Sequence, residues 1–113
     1  MEIESQKKWD KLRSALTQRF KMEMDLKAIL FVIGLQELGM NQQKLSKDQK
    51  LDVMHIAVCT LLEPFGHYTF LGRDQDGWPH WELSERLPPL AKDQQEDLMK
   101  QSILEYWSEE IPS

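Results

Sequence analysis

Cysteine is nearly missing from this chain: one of its 113 residues, Cys59, carries a thiol, so no intrachain disulfide can form. The fold has to rest on packing and hydrogen bonds. A lone thiol inside an apolar run suits a reducing compartment, where a buried, reduced side chain is the expectation. Long hydrophobic runs are absent too. The longest, Ala28 to Leu35, contains Gly34 and falls far short of the roughly 20 residues that span a bilayer, which predicts a core segment and no membrane anchor. The opening residues, Met1, Glu2, Ile3 and Glu4, bring no basic region leading into an apolar core, so no secretory signal is expected and the cytoplasm is the default address.

Glycine and proline are sparse, at five each, and no interior stretch collects them into a linker, which predicts a single domain over residues 1–113. Hydrophobic residues at 41% and charged residues at 29% exclude the profile of a disordered chain. Several chemical signatures are also lacking. There is no paired Cys-x-x-Cys or His-Glu-x-x-His spacing, no glycine-rich phosphate loop, no dinucleotide fingerprint and no serine in a nucleophile elbow.

Positive charge is short, with a net −5 that hides an asymmetry: residues 1 to 60 hold ten Lys and Arg against eight acids (+2), residues 61 to 113 four against eleven (−7). Counterion release on a nucleic acid needs a concentrated basic face, and the acidic second part repels phosphate, so nucleic-acid binding is disfavoured.

What the chain does have is helical periodicity. Trp9, Leu12, Leu16 and Phe20 step by three or four, which predicts an amphipathic helix over about 5–20, with Lys7, Lys8, Lys11, Arg13, Arg19 and then Lys21 off the stripe. Asp25 can cap a second helix that runs to about Leu38, with Gly39 placed to stop it. Asn41 to Leu45 reads as a polar connection. Ser46 with Gln49 forms a capping-box pattern that starts a third helix, whose stripe is Leu51, Met54, Val58, Leu61 and Leu62, widened by Val53, Ile56 and Ala57 and ended by Pro64 and Gly66.

Beyond Gly66 the texture changes to aromatics, glycine and aspartate, and a β-hairpin is predicted at about 67–83, turning at Asp76 and Gly77, with Pro79 marking an edge or irregular second strand. Pro88 and Pro89 then break the chain before a last helix over about Lys92 to Ser108. Its acidic first turn, Asp93, Glu96 and Asp97, suits the helix dipole. The expected fold class is mainly α (α+β), a small bundle of about four helices with one β-hairpin between the third and fourth.

Two helices with wide apolar girths are hard to bury in so small a domain, which predicts a homodimer through the second or third helix. The candidate binding surface is the hairpin, where His67, Tyr68, Arg73, Asp74, Asp76, Trp78, His80, Trp81 and Glu82 mix aromatic platforms with ionisable groups. The structural alternative is that Tyr68, Phe70, Trp81 and Leu83 simply hold the hairpin to the helices. Packing is the preferred account against catalysis, and no catalytic residue is nominated. Between packing and partner binding the residues do not choose.

A calcium loop framed on Gly77 fails, because its first and last ligand positions fall on Gly72 and Leu83, which offer no side-chain oxygen. His55, Cys59, His67 and His80 would make a nitrogen and sulfur set of the kind zinc accepts, yet packed core residues are the commoner use of a His and a Cys in such a helix. No metal or cofactor is expected. A nucleophilic role for Cys59 is disfavoured by its apolar frame of Val58 and Leu61. The glutamates Glu105, Glu109 and Glu110 sit at the wrong helix end for the dipole and call for a basic neighbour.

Three functional readings follow. The leading one is a non-enzymatic interaction module that presents the aromatic and acidic hairpin to a protein partner. The second is a small ligand-binding protein or enzyme using His67, Arg73, Asp74, Asp76 and His80 around a pocket between hairpin and helices. The third is an RNA-associated accessory protein using the basic first helix, with affinity that falls steeply with salt.

Overall fold

A computed structural model describes residues 2–39, 44–84 and 90–107. Among these residues the chain forms four α-helices and one antiparallel hairpin, in the order α1 (Ile3–Phe20), α2 (Leu26–Leu38), α3 (Lys47–Leu62), a 3₁₀ turn (Glu63–Phe65), β1 (Tyr68–Arg73), β2 (Pro79–Leu83) and α4 (Lys92–Tyr106). The expected α+β class, with the hairpin between the third and fourth helices, is the observed one. The expected end of the last helix at Ser108, the break at Pro88 and Pro89, and Glu109 and Glu110 lie outside the described residues, as do Asn41 to Gln43 of the polar connection.

Backbone proximity groups the chain into two compact units, Met1–Leu26 with Pro89–Ser113, and Lys27–Pro88. In the first, α1 packs on α4. Trp9, Leu12 and Leu16 are buried as the stripe predicts, while Phe20, in the last position of the helix, is exposed. Ile103, Leu104 and Trp107 are the buried apolar side chains of the α4 end, and the buried hydroxyl of Ser102 donates to the Leu98 carbonyl at 2.8 Å. The Lys100 ammonium stands 5.6 Å from the centre of the Trp9 ring, a cation–π contact. Where α1 ends, Lys21 adopts a left-handed conformation (φ 56°), the Met24 amide donates to Thr17 Oγ1, and Arg13 Nε donates to the Met24 carbonyl at 3.0 Å.

In the second unit α3 opens on the predicted capping box: the Gln49 amide donates to Ser46 Oγ at 3.1 Å and the Ser46 amide donates to Gln49 Oε1 at 2.9 Å. Its buried face is Val53, Ile56, Ala57, Cys59, Leu61 and Leu62. The predicted, widened stripe is therefore buried at Val53, Ile56, Ala57, Leu61 and Leu62 and open at its start. Leu51, its first member, is 63% exposed, and Met54 and Val58 are half-buried. The helix is apolar on most of its circumference, so spacing alone does not choose the face. A close approach of α2 to α3 chooses it: a Cβ on Gly34 would overlap the carbonyl oxygen of Val53 and lie 2.7 Å from Val53 Cγ1. Only a residue without a side chain lets the two backbones come so near. Leu38, Val53 and Ile56 form a core cluster here, with Phe31, Leu35, Leu45 and Trp78 packed around it.

On α2, Ile29, Leu30, Ile33, Gly34 and Leu38 are buried, and Ala28, Phe31, Val32 and Leu35 are half-buried within a single chain. The apolar girth that suggested a dimer is thus buried on one side of α2 and half-buried on the other.

The hairpin pairs Tyr68 with Leu83, Thr69 with Glu82, Phe70 with Trp81, Gly72 with His80 and Arg73 with Pro79. Leu71 has no partner and forms a β-bulge, with Gly72 at φ 114°, a conformation that residues with a Cβ rarely adopt. The bulge shifts side-chain alternation by one. Without it Arg73 would share a face with Thr69; with it Arg73 joins Tyr68, Phe70, Pro79, Trp81 and Leu83, while Thr69, His80 and Glu82 take the other side.

Candidate functional site

The face that carries Phe70, Arg73, Pro79 and Trp81 bounds a cleft of about 220 Å³, completed by Glu37 of α2, Ile56 of α3 and Glu63 of the 3₁₀ turn. All seven residues belong to the second unit. Phe70 and Trp81 form one wall as a cross-strand pair, ring centres 5.0 Å apart and planes tilted by 57°. The indole Nε1 of Trp81 is buried and has no hydrogen-bond acceptor, an uncommon state for a buried donor.

Arg73 does structural chemistry at the edge of this cleft. Its Nη1 donates to the carbonyl oxygens of Leu38 (2.8 Å) and Gly77 (2.7 Å), and its Nη2 donates to that of Glu37 (2.6 Å). An α-helix leaves its last four carbonyls without intrahelical partners. In α2 the Gly39 amide takes Leu35, and Arg73 takes Glu37 and Leu38, so one guanidinium ties the hairpin to the negative end of a helix dipole.

The nine sequence-nominated residues divide accordingly. Arg73 and Trp81 line the cleft. Trp78 packs half-buried against Leu38, Val53 and Ile56. Tyr68 stands edge-on to the His55 ring, centres 6.0 Å apart, and burial raises its phenol above the ordinary value. Glu82 is exposed on the opposite face, where Thr69 and Ser84 join their hydroxyls by a hydrogen bond. His67 precedes β1, and its carbonyl accepts from the Ser84 amide at 2.9 Å.

Asp74 and His80 organise the turn, while Asp76 is an exposed turn residue. Oδ1 of Asp74 accepts from the amides of Asp76 and Trp78, each at 3.0 Å, and Oδ2 accepts from His80 Nε2 at 2.8 Å. These bonds, that from His80 first, hold the Asp74 carboxyl below its ordinary range. A carboxyl with a depressed folded value lends stability that is present above the unfolded value, about 3.9, and disappears as pH falls through the folded one. Hairpin stability is therefore expected to fall on acidification below about pH 4. Asp74→Asn, which keeps an acceptor oxygen but cannot ionise, should flatten that part of the profile; an unchanged acid slope would refute the assignment.

Cys59 is buried with Sγ 3.5 Å from His55 Nε2, and burial pushes its thiol from 9.0 up to about 11, so the thiolate that a nucleophile requires is scarce at neutral pH. Among the described residues no three His, Cys, Asp or Glu side chains converge as a metal-ligand set, and His67 and His80 do not complete one with His55 and Cys59. On α1, Lys7, Lys8, Lys11 and Arg19 are exposed, whereas Arg13 is turned to its own chain, bonded to Met24 and 3.6 Å from Glu23. No described helix is long and apolar enough to cross a membrane.

Sequence reasoning gave Phe70 a packing role only and missed Glu37, Ile56, Glu63 and Pro79 as cleft residues. They come from four separate elements, and no local signal links them. No family model matches the chain, and neither a curated protein nor a solved structure matches it.

Proposed function

We propose that this protein is a non-enzymatic interaction module whose hairpin, with the 3₁₀ turn leading into it, docks onto a protein partner. One observation carries the reading. Phe65, Phe70, Leu71 and Leu83 are exposed by 44 to 61%, and all four fall within this one segment of 19 residues. Large apolar side chains concentrated in one short exposed segment favour a binding role, whereas ones scattered singly along a chain need no explanation. The sheet adds a second attraction. With two strands, each strand keeps an outer edge of backbone donors and acceptors that an incoming strand can pair with.

The test is quantitative mass spectrometry of the protein purified gently from its own cells, wild type beside a Phe65→Asp, Leu71→Asp double variant. Both side chains are exposed, so folding should survive. A partner recovered with the wild type and reduced tenfold or more with the folded variant is the expected result. An identical set of co-purifying proteins would sink the reading. The native mass of the same sample also decides the homodimer through α2 or α3, for which the exposed Leu51 is the available anchor.

A further inference from the structure

The cleft behind the hairpin is small. Pockets for cofactors and drug-sized ligands commonly run from about 300 to 1,000 Å³, and at about 220 Å³ this one is below that range, the scale of one amino-acid side chain. Its walls are of two kinds. Phe70, Trp81, Pro79 and Ile56 offer apolar and aromatic surface, and Glu37 and Glu63 bring carboxylates. Arg73 is the one basic residue of the lining, and its guanidinium is engaged on the carbonyls of Glu37, Leu38 and Gly77, at the helix end where the dipole is negative. Glu63 is the exposed acid of the lining, and Arg73 already sits among carbonyl acceptors.

An apolar slot with aromatic walls and acidic groups suits a side chain that is itself an aliphatic stem ending in a cation. We propose that the cleft is the specificity pocket of the docking surface and takes one lysine or arginine side chain of the partner. This inference rests on the interaction reading above. Phe70 joins the two, being partly exposed on the apolar surface and at the same time a wall of the cleft.

The probe is a capped amino acid: N-acetyl-arginine methylamide and N-acetyl-lysine methylamide, each against N-acetyl-norleucine methylamide, which has a similar stem and no charge. The reporter is the Trp81 indole resonance in ¹⁵N-labelled protein, assigned with Trp81→Phe. At least one cationic amide should shift that resonance saturably, the norleucine amide should not, and Glu63→Gln should abolish the shift. Glu63 is exposed, so this variant is expected to fold, and unchanged circular dichroism would verify it. An equal response to norleucine would make the cleft a merely apolar slot and overturn the proposal. So would no response to either cation, or a response that survives Glu63→Gln. If the cations fail while Phe65→Asp, Leu71→Asp still releases the partner, the pocket assignment falls and the docking surface stands.

Discussion

Gly34→Ala should destabilise the second unit by about 3 kcal/mol, a fall in melting temperature of roughly 10–15 °C. The sign is the diagnostic part. In an ordinary helix interior the same change stabilises by about 1 kcal/mol, because alanine forgoes the backbone entropy that glycine loses on folding. Here the added methyl would overlap the Val53 carbonyl oxygen and crowd Val53 Cγ1. Backbone cannot rotate aside as a side-chain tip can, so α2 and α3 would have to separate and disturb the cluster of Leu38, Val53 and Ile56. Thermal and urea melts of the variant decide it. An unchanged or raised midpoint would mean that the two helices do not approach in this way.

Arg73→Ala is expected to lower stability by about 1–2 kcal/mol, at the modest end for charge-assisted bonds because two of its three contacts are exposed. Its local signature should be larger than its global one. The carbonyls of Glu37 and Leu38 would lose their partner, and the hairpin would lose its tie to α2. Hydrogen exchange should accelerate in Tyr68–Arg73 and Pro79–Leu83, with α1 and α4 unaffected. Arg73→Lys should rescue little, since an ammonium lacks the rigid fork that reaches three carbonyls. Full rescue by lysine would show that charge alone, without geometry, holds the hairpin.

Much of this architecture was legible in the sequence. Local rules located the helices: the three-and-four spacing of Trp9, Leu12 and Leu16, the Ser46 and Gln49 box, and Gly39 after Leu38 each correspond to an observed element or end. They failed where two patterns fitted equally. α3 carries apolar residues on most sides, so Leu51 looked as eligible for the core as Val53 until the contact with Gly34 set the rotation. At the hairpin the residue types drew attention to the right segment, and Arg73 and Trp81 do line its cleft. The role of Arg73 was not legible. Strict alternation sets it beside Thr69, among the side chains facing away from α2, and only the bulge brings it round to the helix end. The carboxylates of the cleft were invisible for a different reason: Glu37 and Glu63 lie 26 positions apart and meet only through tertiary packing.

That bulge leaves the hairpin with one residue to spare. Leu71 is 61% exposed and unpaired, so exchanging it for another side chain should leave the ladder and the Arg73 tie intact. Deleting it should leave them intact as well. With one residue fewer in β1 the bulge itself is gone: Arg73 stands two places after Phe70, strict alternation alone puts both on one face, and Gly72 and Arg73 keep His80 and Pro79 as partners. Among descendants of this sequence, position 71 should drift freely in identity and tolerate a one-residue gap, whereas a gap that removes Leu71 and Gly72 together, and so sets Arg73 beside Phe70 on the opposite face, should be selected against.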